Sequence, residues 1–144
     1  MYTFDLDDYE LAPTAPGLRV SFPAHSATGS ASTATVLFEL DPGAELYVHS
    51  DSAEELIIIV QGTAEARVGD EIGRLETHQV AVVPAMAPHG LRNIGEDVLR
   101  VLGTFSASTV VSTFERPLQE DGPQVIVIGA PVPVAAHLGE AVAA

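Results

Sequence analysis

Two imidazoles and two carboxylates stand at spacings that would let them share one buried site. His49, Asp51 and Glu55 fall within seven residues, directly before the apolar run 56–60, and His89 follows forty residues after His49. Two carboxylates about 4 Å apart repel each other by roughly 4 kcal/mol at an effective dielectric constant of about 20, and burial adds a desolvation cost. A divalent cation would remove both penalties, and without one an acid must take up a proton. The stretch therefore predicts either a metal site or a shared proton.

Alternation along extended strands indicates which of these side chains can meet. Residues i and i+2 of a strand share a face, so Tyr47, His49 and Asp51 are predicted to point in one direction. Glu55 starts the next strand after a short connection, and His89 starts a later one, so both can join the cluster. Tyr47 thereby becomes a candidate for lining the site and donating a proton, with plain packing as the alternative.

Short apolar runs separated by turn residues predict an all-β fold. Runs rich in Val, Ile, Leu, Thr and Phe are cut at even spacing by Gly, Pro and Asp, which is typical of an antiparallel β-barrel or jelly roll. The predicted strands are 18–22, 33–40, 45–49, 55–60, 63–68, 80–83, 89–93, 98–105, 110–114 and 125–128. Gln61 and Gly62 are predicted to form the two-residue turn of a hairpin, and Ile72 with Gly73 a further turn. We expect one domain of residues 1–128 and a C-terminal arm of residues 129–144.

The composition excludes several classes of function. The 144 residues contain no Cys and no Lys, which removes disulfides, thiolate metal sites, Cys nucleophiles and Schiff-base enzymes. A net charge of −14 repels phosphate backbones, so no nucleic-acid partner is expected. No apolar run approaches the about 20 residues of a membrane span, and the acidic first residues do not resemble a signal peptide. We expect a cytoplasmic protein with no membrane partner.

The sequence resembles the cupins, a superfamily of small β-barrels with two sequence motifs, in the type and spacing of seven residues. The motifs are G-x5-H-x-H-x3-E-x6-G and G-x5-P-x-G-x2-H-x3-N. Seven of the ten motif positions match with the family's gaps, namely Gly43, His49, Glu55, Gly62, Pro84, His89 and Asn93. Asp51 replaces the second His of the first motif, and His78 and Met86 replace the two glycines of the second. The motifs span residues 43–62 and 78–93, and the resemblance implies a single-domain cupin barrel.

The resemblance also implies a metal site. In cupins, the two His and the Glu of the first motif and the His of the second bind a divalent metal inside the barrel. By position, the ligands would be His49, Asp51, Glu55 and His89. Such a set suits Fe, Mn, Ni or Zn better than copper. The alternative is a degenerate site in which Asp51 is solvated and the metal is absent or weakly held.

Metal-centred chemistry on a small organic molecule is the function that the resemblance implies. Cupins include dioxygenases, isomerases, decarboxylases, lyases and polyketide cyclases, and the fold alone does not select among them. Because iron cupins are common, a dioxygenase is the first hypothesis. The second is a nonredox cyclase, isomerase or lyase, and the third is a noncatalytic small-molecule-binding protein. Asp51, Glu55 or a metal-bound water would act as the base, and Tyr47 could donate a proton. The apolar runs predict a largely apolar substrate that binds the metal through oxygen.

A dimer contact and the places of three single residues are also predicted from the sequence. Small cupins usually pair through sheet edges, so we expect a homodimer in which segment 18–22 or 110–114 is exchanged or paired between copies. His25 and His78 are predicted to lie in loops, and Met86 is predicted to belong to the core.

Overall fold

The computed structural model describes residues 1–130, which form twelve β-strands and one 3-10 helix, Ser26–Thr28. The strands are β1 (Ala12–Ala15), β2 (Leu18–Ala24), β3 (Ala34–Leu40), β4 (Glu45–Asp51), β5 (Glu55–Gln61), β6 (Thr63–Val68), β7 (Glu71–Glu76), β8 (Val80–Val83), β9 (His89–Asn93), β10 (Leu99–Phe105), β11 (Val110–Phe114) and β12 (Val125–Ile128). The predicted arm of residues 129–144 lies outside the described residues from residue 131 onward.

Two six-stranded antiparallel sheets form the fold. Sheet A has the strand order β1-β2-β3-β10-β5-β8, and sheet B has the order β12-β11-β4-β9-β6-β7. The apolar core lies between them and draws on strands of both sheets. These sheets confirm the predicted all-β jelly roll. Within residues 1–130, no helix is long and apolar enough to cross a membrane.

Strict alternation fixes the register of the central strands. Every second residue of β10, from Leu99 to Phe105, is buried, and the same holds for β5 from Glu55 to Ile59. Each large apolar side chain removed from water contributes about 1.5–3 kcal/mol. A shift by one residue would turn this whole set outward, so the pairing that positions the interior polar side chains is strongly specified.

The connection at Gly62 differs from the predicted hairpin. β5 pairs with β10 and β8 in sheet A, whereas β6 pairs with β7 and β9 in sheet B. Gly62 has φ of +98°, and a Cβ atom there would lie 3.2 Å from Leu99 Cα. The glycine therefore turns the chain from one sheet to the other, close against β10. A short connection has the same sequence signal whether the strands it joins pair as a hairpin or belong to different sheets.

Three other predictions about the strands need correction. The turn expected at residues 72–73 lies inside β7, an edge strand whose side chains are mostly exposed and show no apolar alternation. β1 was not predicted. The segments expected to pair two copies, 18–22 and 110–114, lie in β2 and β11, and each has a strand on both sides, so neither is a free edge. Homodimer formation itself stays a prediction.

His78 and Met86 adopt the left-handed conformation, with φ of 73° and 67°. These are the positions where the second cupin motif has glycine, which adopts this conformation without a steric penalty. The backbone thus has the left-handed conformation that suits the motif's glycines, although His78 and Met86 adopt it less readily than glycine does. Met86 is 62% exposed, so its predicted place in the core is wrong.

We expect Met86→Gly to raise the free energy of unfolding by about 0.5 kcal/mol. A left-handed non-glycine residue costs about 1–2 kcal/mol, which exceeds the roughly 0.4–1 kcal/mol that the freer unfolded chain of a glycine variant costs. Urea denaturation measures the change. Ala85→Gly is the matched control, because Ala85 is exposed and is not among the residues with positive φ, and it should lower the stability. Equal destabilisation by both variants would contradict the prediction.

Candidate metal centre

Four buried polar side chains meet between the two sheets. His49 and Asp51 come from β4 and His89 from β9, which are neighbouring strands of sheet B, and His49 pairs directly with His89. Glu55 starts β5 on the opposite sheet, because the chain crosses from sheet B to sheet A at residues 52–54. All four are at most 6% exposed. The predicted convergence of these four residues is therefore what the fold produces.

The separations between the polar atoms are those of ligands around one ion. Asp51 Oδ2 lies 3.1 Å from His89 Nε2 and 3.5 Å from His49 Nε2, and Glu55 Oε1 lies 3.5 Å from His89 Nε2. Two ligands, each about 2.1 Å from one metal, are about 3.0 Å apart at a right angle and about 3.4 Å apart at the tetrahedral angle. The protein thus holds these atoms at coordination spacing.

Hydrogen bonds to the far sides of these groups select the atoms that face inward. The Nδ1–H of His49 donates to the Tyr47 carbonyl at 2.8 Å, and the Nδ1–H of His89 donates to the Ala87 carbonyl at 2.9 Å, since a carbonyl oxygen can only accept. In its neutral form, each ring therefore presents an Nε2 lone pair to the cluster. Such second partners fix the tautomer and orientation of metal-binding histidines.

Two of the inward atoms have no hydrogen-bond partner. Ser112 Oγ–H donates to Asp51 Oδ1, which leaves Asp51 Oδ2 and His89 Nε2 buried without a hydrogen bond of acceptable geometry within the described structure. Their 3.1 Å contact is an ion-pair distance rather than a well-directed hydrogen bond. Buried polar atoms are rarely left this way, because each costs about 1–3 kcal/mol. A cation bound between Asp51 Oδ2 and His89 Nε2 would give both atoms a partner.

The charges of the cluster depend on one another. Burial and the neighbouring His89 lower the pKa of His49 to about 4. Burial acts in the same direction on His89, but the Asp51 and Glu55 carboxylates outweigh it and raise the pKa of His89 to about 10. Burial alone would raise the pKa of Asp51, yet His89, His49 and Ser112 together lower it. The pKa of Glu55 is raised by burial, with Asp51 adding to the effect. Without a cation, His89 therefore keeps a proton that a bound cation would displace.

A bulge in β4 corrects the predicted place of Tyr47. Leu46 pairs with Leu91 and His49 with His89, so two residues of β4 oppose Gly90 alone. The extra residue reverses the alternation and leaves Tyr47 outside the cavity that His49 faces. Its ring lines an outer hollow of about 500 Å³, where the Arg116 guanidinium carbon lies 3.7 Å from the ring centroid.

Gly90 makes this bulge possible. A Cβ atom at position 90 would lie 2.9 Å from the Leu46 carbonyl oxygen and 3.4 Å from the Val48 side chain. The sequence shows a glycine within a strand, which often marks a bulge, but it does not show which partner strand bulges. The prediction for Tyr47 failed because it assumed that side chains alternate regularly along the whole of β4, including the bulge.

Two residues that contact the site, Ser112 and Gly103, were not identified from the sequence. Ser112 holds Asp51, and Phe114 stacks on His49 with ring centroids 4.5 Å apart and planes at 17°. Gly103 provides space for Glu55, because a Cβ there would lie 2.8 Å from Glu55 Oε2. The available signals were a serine at an inward position of an apolar strand and a glycine in the middle of another.

A cavity of about 450 Å³ adjoins the cluster. Apart from the cluster and Ser112, its lining is mostly apolar and includes four phenylalanines, together with Val36, Leu46, Ile57, Leu118, Ile126 and Ile128. His25 also lines this cavity, whereas His78 is exposed at its turn as predicted. The cluster therefore lies against a space large enough for a small organic molecule.

His49, Asp51 and His89 could bind a metal ion, since each offers a ligand atom within 4.8 Å of the other two. Glu55 lies beside this set on the opposite sheet. The distances, tautomers and unpartnered atoms all fit a divalent cation, and two imidazoles with carboxylates suit Fe, Mn, Ni or Zn. Metal binding itself, the identity of the metal and the roles of Asp51 and Glu55 stay predictions.

Comparisons with known proteins agree with the geometry. The profile of the cupin domain family matches residues 36–105, which include both motifs. No curated protein shows significant sequence similarity to the chain.

Solved structures share the fold at low identity. KdgF from Halomonas sp. has a TM-score of 0.64 and 21% identity over 74% of this chain and 94% of its own. An RmlC-like cupin from Shewanella frigidimarina has a TM-score of 0.62 and 23% identity over 74% and 89%. Oxalate decarboxylase from Bacillus subtilis has a TM-score of 0.69 and 20% identity over 85% of this chain but only 40% of its own. Residues 36–105 therefore form a cupin domain, and the chain as described has the fold of small cupins.

Proposed function

We propose that this protein is a metal-dependent enzyme that acts on a small, largely apolar organic molecule bound to the metal through oxygen. The observation that carries the proposal is the pair of buried atoms that lack a hydrogen bond, Asp51 Oδ2 and His89 Nε2, 3.1 Å apart beside a mostly apolar cavity. Structural polar groups inside proteins are normally satisfied, so groups kept unsatisfied at ligand spacing point to a bound ion.

His49, Asp51 and His89 would hold the ion, with Glu55 as a fourth ligand or as a base. Two imidazoles and one carboxylate with open positions form the ligand set typical of nonhaem Fe(II) oxygenases, which favours a dioxygenase-type reaction. When bound, iron would supply dioxygen chemistry, and zinc, nickel or manganese would polarise a substrate oxygen. Ser112 keeps Asp51 oriented, and the apolar lining excludes water from the reacting molecule.

A nonredox cyclase, isomerase or lyase is the second candidate, and Glu55 favours it. The Glu55 carboxylate lies 3.5 Å from His89 Nε2 and lines the cavity, which would place it to accept a proton from a substrate bound to the metal. The oxalate decarboxylase neighbour acts on a small dianion. Among the described residues that line the cavity there is no arginine to bind such a substrate, so a less charged molecule fits better. A noncatalytic binding protein is the third candidate.

A homodimer and a cytoplasmic location are further proposals. They rest on the resemblance and the composition, and they do not affect the roles of the cluster.

Metal binding tests the proposal directly. We expect the purified protein to bind one divalent ion per chain, and His49→Ala or His89→Gln to weaken binding by more than about 100-fold, because each removes a ligand. Calorimetric titration with Zn²⁺ and elemental analysis measure this. His78→Asn is the matched control, since it removes an exposed imidazole and asparagine tolerates positive φ. Folded variants that bind the ion as tightly as the control would contradict the proposal.

Ser112 should tune the affinity without contacting the ion. Ser112→Ala removes the donor to Asp51 Oδ1, and we expect a 10–100-fold weaker Zn²⁺ affinity, the effect typical of such outer partners. Thr113→Ala, at the outward-facing neighbour on the same strand, should leave the affinity unchanged. Equal titration curves for the two variants would show that Ser112 has only a packing role.

The metal that supports turnover separates the two reaction classes. An Fe(II)-loaded dioxygenase consumes one O₂ per substrate converted, whereas a nonredox enzyme also turns over with Zn²⁺ under anaerobic conditions. We expect oxygen consumption that is lost on replacement of iron by zinc. Conversion in the absence of oxygen, abolished by Glu55→Gln, would instead establish the nonredox reaction.

A further inference from the structure

The cavity combines aromatic walls with one imidazole remote from the cluster, that of His25. The two other hydroxyl groups in its lining outside the cluster and Ser112, those of Thr14 and Ser21, already donate to backbone carbonyls. We infer that the substrate is a planar aromatic molecule, with oxygen donors at one end for the metal and a hydrogen-bond acceptor at the other end, and that His25 binds this acceptor. The inference rests on the proposed function and names the class of substrate that the same cavity would select.

Phenylalanine is concentrated around this cavity. Phe22, Phe38, Phe105 and Phe114 all line it, and the chain has only five phenylalanines in total. None of the three tyrosines lines it, so the aromatic walls bring no hydroxyl groups. Aromatic side chains pair with aromatic ligands in offset or edge-on arrangements that are worth about 0.5–1.5 kcal/mol beyond burial. Phe114 is already held parallel to the His49 ring, next to the cluster.

The tautomer of His25 is fixed by a local hydrogen bond. The Ala27 backbone N–H donates to His25 Nδ1 at 3.2 Å, so Nδ1 is the acceptor and a neutral ring carries its proton on Nε2. Within the described residues, this Nε2–H has no hydrogen-bond partner, and the side chain lines the cavity. His25 therefore offers a donor to a ligand.

The backbone around His25 is held in place. Its N–H donates to Thr28 Oγ1 at 3.0 Å, and the Thr28 N–H donates back to the His25 carbonyl, which closes the turn. Ser26 ties this turn to the body of the protein, through its N–H to the Ser108 carbonyl and its hydroxyl to Thr109. A donor held this firmly loses little entropy when it binds a ligand.

The strand pairing gives the distance between His25 and the Glu55 end of the cavity. Ala24 pairs with Thr35, Thr35 with Thr104, and Thr104 with Leu56, the residue after Glu55. His25 and Glu55 thus lie at the same level of sheet A but three strand spacings apart, which is about 14 Å along the sheet. A molecule that reaches both ends is longer than a single ring, and the cavity of about 450 Å³ falls within the range of small-molecule sites.

Three hydroxamic acids with the same metal-binding group test the inference. The probes are 2-naphthohydroxamic acid, its fully saturated ring analogue, and its derivative with a carboxamide at ring position 6. We measure their affinity for the Zn²⁺-loaded full chain by calorimetry. We expect the planar parent to bind at least about fivefold more tightly than the saturated analogue, and the carboxamide to bind about tenfold more tightly than the parent, as one hydrogen bond provides.

His25→Asn separates the hydrogen bond to the ligand from the structural role of His25. Asparagine can still accept the Ala27 N–H as a helix cap, but it cannot extend a donor as far into the cavity. We expect the variant to lose about tenfold in affinity for the carboxamide and to bind the parent acid and Zn²⁺ unchanged, with the same thermal midpoint. His25→Ala should lose the cap as well and unfold at a lower temperature.

The outcomes distinguish this inference from the proposed function. Failure of the unmodified chain to bind Zn²⁺ overturns the proposed function. Tight Zn²⁺ binding with equal affinity for the planar and saturated acids overturns the aromatic substrate class. An unchanged affinity of His25→Asn for the carboxamide, or an equal loss for carboxamide and parent, overturns the role of His25.

Discussion

The structure depends on placing ionisable side chains inside an apolar sandwich. Each charge taken from water costs several kcal/mol unless a partner compensates it. The interior holds two carboxyl groups and two imidazoles. Ser112 donates a hydrogen bond to Asp51, and the two imidazoles donate to backbone carbonyls, all on the outer side of the cluster. The negative charge of the carboxylates must therefore be compensated at the centre of the cluster. A proton on His89 compensates part of this charge, and a divalent ion would compensate all of it.

The features that build this centre are small departures from regular sheet structure. Gly90 accommodates a bulge that turns His49 inward, Gly103 leaves room for Glu55, and Gly62 sends the chain to the other sheet. Each glycine acts through a missing Cβ or through a left-handed backbone. The site is therefore shaped as much by absent side chains as by the ligands.

Much of the fold was accessible from the sequence because alternation and turn residues are local signals. The strands β6, β8, β9, β11 and β12 were predicted with their observed bounds, and the four-residue cluster was found because its motif spacing is specific. Sheet membership was not accessible, as Gly62 shows, because strand pairing depends on contacts between distant segments. Tyr47 was misplaced for a related reason: a bulge belongs to a pair of strands, and one strand alone does not reveal it. Ser112 was missed because a single inward serine carries no signal until its partner is known.

The cluster draws on both layers of the sandwich, with three residues on sheet B and Glu55 on sheet A. An ion bound by all four would join the layers as a cross-link, in a chain that has no cysteine to form a disulfide. Opening of the sandwich and release of the ion would then be one event. Binding of the ion would therefore stabilise the folded barrel, and loss of the ion would make it easier to unfold.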